Sequence, residues 1–330
     1  MRYFFWFWPK VIRLAYYVIR TRAKETRWAY GQLDELEARF GGQFQPATKQ
    51  KIAVSYGIYV PMVCDAFTRL RGRRTDREER RRYLLYFVCS SLFDDFTDYE
   101  LISPEQLYAI SFRPDTYHPE SFDEKLFLFA HQTLKATVRR PDAYDEVSRR
   151  LFEAQRQSRA QAKGDLDEET IRQITFSKGG YSVLLCGYYL NTDSTPEEEH
   201  CWYQIGTLIQ LTNDLYDIHK DLQEGFTTLA NRMRSAHEFE AFFMGQIDSM
   251  KAQIARMTYP IGRRKIFSLC MAGIYAFGLI ALAQLKRIQG QASALPELST
   301  IPRKALIIDM EKPANLIRWF KYTYRHARVK

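Results

Sequence analysis

Residues 266–285, IFSLCMAGIYAFGLIALAQL, run for twenty positions without a charge. That is the length of a bilayer-crossing helix, and Arg263, Arg264 and Lys265 stand just before it as a basic flank would. The same pattern describes the central helix of a large bundle, apolar all round because neighbours surround it. Gly273, Ala276 and Gly278 would let those neighbours approach closely. We read the segment as a buried core helix, since the rest of the chain supplies helices able to surround it.

Those helices follow from apolar periodicity. The spacing predicts helices over 83–99, 123–138, 146–163, 168–190, 196–225, 238–257 and 263–289. Ser121 and Asp123 open the second of these, and Pro141 follows its end. Pro196 suits a first helical turn and Gly225 a stop. In the helix over 168–190, Ser177–Lys178–Gly179–Gly180 predicts a break, because glycine costs about 1 kcal/mol relative to alanine inside a helix. Strand patterns with tight turns are scarce. Of 330 residues, 46% are apolar and 15% aromatic, which excludes wholesale disorder. The cysteines at 64, 89, 186, 201 and 270 have no CxxC or Cys/His spacing. A zinc site and a disulfide framework are therefore not expected, and a reducing compartment fits. The expected fold is all-α, one large bundle over 31–290, with 1–30 and 291–330 as basic appendages.

The net charge of +9 suits nucleic acid, an anionic membrane or a phosphorylated small molecule. It is concentrated. Residues 1–30 hold seven Lys/Arg against one Glu, 71–82 hold seven Arg against three acids, and the last 28 residues hold eight Lys/Arg against two acids. At the N-terminus, aromatics crowd residues 3–8 before Pro9, Lys10 and Arg13 interrupt them. This segment is too short and too charged to span a bilayer and lacks a signal-peptide core and cleavage site. Two readings stay open for it: peripheral contact with a membrane surface, or a helix packing its aromatics on the main domain. The expected location is the cytoplasm, peripheral to a membrane if the first reading holds.

Two acidic clusters carry the chemistry. In SLFDDFTDYE, Asp94 and Asp98 lie about 40° apart around a helix, with Asp95 beside them. They follow a strongly apolar run, where carboxylates are costly unless they bind something positive. In QLTNDLYDIHKDLQEG, Asn213, Asp217 and Asp221 recur every four residues, a stripe of about 80°. Such oxygens are hard ligands that suit Mg²⁺, which shares its coordination with water and substrate phosphates. Two stripes facing each other would clamp a magnesium–diphosphate complex.

The two clusters, with the helical pattern, resemble the class I isoprenoid synthases over roughly residues 50–290. Asp94, Asp95 and Asp98 look like that superfamily's first aspartate-rich motif. Gln210, Asn213, Asp217 and Asp221 look like the second motif of its squalene/phytoene synthase branch. Asn213–Asp214–Leu215–Tyr216–Asp217 can also be read as a DDxxD variant, and the four-residue spacing as a looser terpene-synthase motif. The resemblance implies a bundle around a central apolar cavity and three Mg²⁺ ions held between the motifs. Asp94, Asp95 and Asp217 would carry catalysis, and Asp94, Asp95, Asp98, Asn213, Asp217 and Asp221 would ligate metal. It also implies a helix kink near Gly179, with Lys178 contacting diphosphate. Phe87 and Tyr181 are candidates to line a pocket where aromatic faces stabilise a carbocation. Gln210 joins the substrate-binding set, as does Arg318, which with Tyr324 and Arg325 would cap the closed site.

The activity this implies is ionisation of a prenyl diphosphate followed by cyclisation or quenching, a terpene synthase or lyase reaction. A head-to-head prenyltransferase of squalene/phytoene synthase type is the first alternative. Chain elongation is disfavoured. Gly41–Gly42–Gln43–Phe44–Gln45–Pro46 lacks the basic residues of that family's diphosphate segment, and ELISPEQL stands where paired arginines usually follow the first motif. A basic helical nucleic-acid-binding protein is the non-enzyme alternative. The arginine run favours it, but two acidic stripes would repel phosphate unless metal intervened. The expected partner is therefore a prenyl diphosphate and not a nucleic acid.

Overall fold

The computed structural model describes residues 2–163 and 166–328. Among them are fourteen α-helices and no strand. The helices are α1 (Arg2–Phe40), α2 (Pro46–Tyr59), α3 (Asp65–Leu70), α4 (Arg77–Asp98), α5 (Pro104–Phe112), α6 (Phe122–Thr137) and α7 (Pro141–Ser158). Then follow α8 (Glu168–Tyr188), α9 (Pro196–Glu224), α10 (Leu229–Arg232), α11 (Ala236–Arg256), α12 (Ile261–Gln289), α13 (Arg303–Leu306) and α14 (Pro313–His326). A π-helical turn, Val60–Cys64, joins α2 to α3. The fold is all-α, as the periodicity predicts.

Local chemistry sets the helix ends. Capping boxes open α4 (Asp76 with Glu79), α6 (Ser121 with Glu124) and α9 (Thr195 with Glu198), each satisfying two otherwise orphaned donors. The Asp76 box explains why α4 begins before residue 83: Glu79 is fully buried and also holds Arg73 at 2.5 Å. Gly225 ends α9 at φ +73°, a left-handed cap that glycine adopts without a Cβ penalty.

The chain divides into two compact units, Met1–Pro141 with Tyr189–Thr192, and Asp142–Tyr188 with Asp193–Lys330. In the first unit α1 passes through residue 30 unbroken and packs on α2. Tyr56, Phe67, Tyr83, Phe87 and Phe96 supply much of its buried aromatic core. Several arginines of the run are engaged within this unit. Arg80 pairs with the buried Glu25 at 2.6 Å, Arg81 with Glu78, Arg71 bonds Thr192 and Arg82 bonds Asn191.

In the second unit α12 packs against α9, α11 and α14. It is the one helix among the described residues long and apolar enough to cross a membrane, and 83% of its apolar window is buried. Its glycines do what the sequence suggests. The Trp319 indole donates to the Gly273 carbonyl at 2.8 Å, and Gly278 meets Phe243 and Thr212. The segment after residue 290 is partly built into this unit, since α14 lies on α12.

The expected break at Gly179–Gly180 is corrected: α8 is helical without interruption from Glu168 to Tyr188. The glycines are there for contact. A Cβ on Gly206 of α9 would stand 2.2 Å from the Gly179 carbonyl oxygen, and one on Gly180 would stand 2.4 Å from the Tyr203 ring. The two backbones therefore touch where side chains would hold them apart. Gly206→Ala is expected to destabilise the chain by about 1–3 kcal/mol, the range for overpacking. Gly245→Ala on α11 would place its methyl in open space and should stabilise by about 0.5–1 kcal/mol through helix propensity. Urea unfolding of the two variants checks the contrast.

Candidate functional site

The first acidic cluster forms at the C-terminal end of α4, in the first unit. Asp94 and Asp95 are half-buried and Asp98 is exposed. Two residues of α2 meet them: Lys51 Nζ lies 2.7 Å from Asp94 Oδ2, and the Thr48 hydroxyl donates to Asp95. Burial alone would lower the Lys51 pKa. The adjacent Asp94 charge and hydrogen bond, with the charges of Asp95 and Asp98, raise it instead. Asp123, in the first turn of α6, joins the cluster, its carboxyl pushed up by burial and then by the negative charges of Asp95 and Glu124. The cluster is thus four aspartates with one lysine among them.

The second cluster forms on the C-terminal half of α9, in the second unit. Asp217 is exposed and Asp221 partly buried, while Asp214, one turn earlier, is 7% exposed. Gln210 Nε2 donates to Asp214 Oδ1 at 2.8 Å. Burial pushes Asp214 up to about 7, and the charges of Asp221 and Asp217 add to it against the opposing Gln210 bond and Lys178 charge. Burial likewise raises Asp221 to about 6, reinforced by Asp217 and Glu224 and opposed by Lys220 and Lys178. Lys178 reaches this group because the Gly179–Gly206 contact brings α8 against α9. The cluster repeats the logic of the first: several carboxylates held together, with one lysine from a neighbouring helix.

The expected residues fall into three groups. Asp94, Asp95 and Asp98 are gathered on α4, and Gln210, Asp217, Asp221 and Lys178 are gathered around α9. Asn213 lies on the same helix, exposed, one residue from the buried Asp214. The others sit apart. Phe87 is 6% exposed and its ring packs on Tyr56, Tyr59 and Tyr86, an aromatic core position. The Tyr181 hydroxyl accepts from Arg150 Nη1 at 2.9 Å and its ring meets Tyr203 edge-on. Arg318, on α14, donates to Asn315 at 2.8 Å, and its charge acts on Arg287 of α12.

Sequence reasoning left Thr48, Lys51 and Asp123 out of the site and carried Asp214 only through the DDxxD variant reading. Asp214 shares a helix face with Asp217 and Asp221 at i, i+3 and i+7, whereas the ligand set built on four-residue steps takes its neighbour Asn213. Among the described residues, no three His, Cys, Asp or Glu side chains converge closely enough to hold a metal ion by themselves. Magnesium seldom asks for that, because it keeps several waters and borrows oxygens from substrate phosphates. A cavity of about 830 Å³ in the second unit is lined by Arg172, Arg232, Arg234, Phe239 and Phe242, among others, and by none of the candidate residues. No protein-family model matches the chain, and no curated protein matches its sequence.

The raised carboxyls make stability pH-dependent with a definite sign. Between the ordinary aspartate range and about 7, folded Asp214 holds a proton that the unfolded chain has released. The folded state then binds more protons, so stability falls as pH rises through that window. Asp214→Asn keeps an acceptor for Gln210 and removes the charge. It is expected to match the wild type below about pH 4 and to exceed it at pH 8, on the order of 2–4 kcal/mol. Urea unfolding across that pH range checks the crossover.

Proposed function

We propose that this chain is a magnesium-dependent enzyme that ionises a prenyl diphosphate and cyclises or quenches the resulting carbocation. The observation carrying the proposal is the pair of carboxylate clusters at the ends of apolar helices, each with a lysine among its acids. Burial first, and neighbouring carboxylates second, penalise the charged forms of Asp214 and Asp221, and a hard cation would relieve both. The donor set fits magnesium: every side chain is an oxygen ligand, with no thiolate or imidazole among them.

In this reading Asp94, Asp95 and Asp98 of the first unit, and Asn213, Asp217 and Asp221 of the second, would ligate Mg²⁺, with diphosphate oxygens completing its coordination. The metal these residues would hold would supply positive charge for the departing diphosphate. Lys178 adds a positive charge for the same oxygens. Gln210 locks Asp214 in place, and Asp214 in turn fixes the electrostatic environment of Asp217 and Asp221. The allylic C–O bond breaks, its electron pair leaves with the diphosphate, and the cation closes a ring and loses a proton or takes up water. The reading requires an apolar pocket that excludes water around the ionising carbon.

The test is a diphosphate-release assay with allylic prenyl diphosphates of increasing chain length and extraction of the organic product. Magnesium-dependent release giving a hydrocarbon or alcohol of unchanged carbon number is expected. Asp94→Ala, Asp95→Ala and Asp217→Ala should each lower release by about a hundredfold or more with helical circular dichroism unchanged. Full turnover by these variants would overturn the proposal, as would no release from any chain length. A product of doubled carbon number would replace it with head-to-head coupling.

A further inference from the structure

Helix α1 carries two apolar stripes about 110° apart around its axis. One contains Phe7, Val11, Ala29 and Leu33 and is fully buried. The other contains Phe5, Ile12, Tyr16 and Ile19, which are 71%, 58%, 61% and 71% exposed. At 100° per residue these four fall within an arc of about 60°, along roughly 20 Å of helix. Isolated exposed apolar residues need no explanation, but an aligned row does.

The charges beside the row are all of one sign. Arg13, Arg20 and Lys24 lie along one edge and Arg22 along the other, all exposed. Arg20 also donates to the Tyr16 hydroxyl at 3.1 Å, placing a cation and a phenol together on the rim. No acid occurs before Glu25. That glutamate does not offset the face, because it is 2% exposed and holds Arg80 and the Tyr56 hydroxyl on the buried side. A second copy of the chain would bring the same arginines against these. A surface that is apolar beneath and anionic above fits both features. Leucine-like and aromatic side chains enter the acyl boundary while arginines stay among phosphates.

We propose that the Phe5–Ile12–Tyr16–Ile19 face of α1 docks the protein in the plane of an anionic phospholipid bilayer, with Arg13, Arg20, Arg22 and Lys24 on the headgroups. This is independent of the activity proposed above, since none of these residues belongs to either carboxylate cluster. The helix lies on the membrane and does not cross it. The Phe7–Val11–Ala29–Leu33 stripe stays on the protein. Each cation near an anionic surface contributes about 1 kcal/mol, about fivefold in binding.

The full chain is mixed with phosphatidylcholine vesicles, with and without roughly one part in three of phosphatidylglycerol, and sedimented. Binding to the anionic vesicles that weakens with added salt is expected, with little binding to phosphatidylcholine alone. Arg13→Gln with Arg20→Gln should weaken it about twentyfold, and Ile12→Gln with Ile19→Gln by at least tenfold. All four positions are exposed, so circular dichroism and the unfolding midpoint should be unchanged. Three results would overturn the proposal: no binding to anionic vesicles, binding by both double variants equal to that of the wild type, or a wild-type dimer in solution that the isoleucine pair abolishes.

Discussion

The contact between Gly179 of α8 and Gly206 of α9 sets the geometry of the second acidic cluster. Backbone touches backbone there, with no room for a methyl on either side. The close approach puts Lys178 beside the carboxylates and puts Gln210 against α8, where a Cβ on Gly179 would strike it at 2.5 Å. Gln210 then bonds Asp214. A chain of short-range contacts thus fixes an acid that the helix would otherwise leave to solvent. Glycine's weak helix propensity is outweighed by the packing it permits, so α8 stays helical through two consecutive glycines.

Burial and crowding act together on the acids. Asp214 is inside because its helix face packs, and desolvation penalises its charge. Asp217 and Asp221, within one and two turns, add negative field from the same face. Lysines moderate but do not cancel this, and Lys178 serves more than one carboxylate. At the end of α4 the balance differs. Lys51 is bonded directly to Asp94, so that cluster carries its own counter-charge, and burial drives Asp123 upward beside it. The two clusters share a composition but not an electrostatic state. A divalent cation would meet a lysine already in place at α4 and an acid ready to shed a proton at α9.

Much of this was legible in the sequence, for local reasons. Ser121, Pro196 and Gly225 fixed helix ends within a residue or two because capping is decided by neighbours in the chain. The acidic residues were visible as clusters because they share turns of one helix. What was hidden depends on partners distant in sequence. Nothing near Lys51 or Thr48 announces Asp94 and Asp95, more than forty residues away. The glycine pair in α8 read as a break because its reason lies in α9. The arginine run read as surplus charge because Glu25, Asn191 and Thr192 are remote. Phe87 read as a pocket residue because apolar character near a motif does not distinguish a lining from a core.

Helices α1 and α12 show why hydropathy alone cannot decide what an apolar surface is for. The segment over 266–285 is the more apolar and has the composition of a membrane span, yet neighbours enclose it, and Gly273 and Gly278 exist to let them in. Helix α1 is diluted by six basic residues before Glu25 and has no such span, yet it leaves a row of large apolar side chains in water. That row adds nothing to folding, because the same side chains are wet in the unfolded chain. Its alignment is what the membrane docking proposed above would use. The arginines alongside keep copies of the chain apart while attracting an anionic surface. An apolar row with a single sign of charge on its rim is selective in a way that apolar character alone is not.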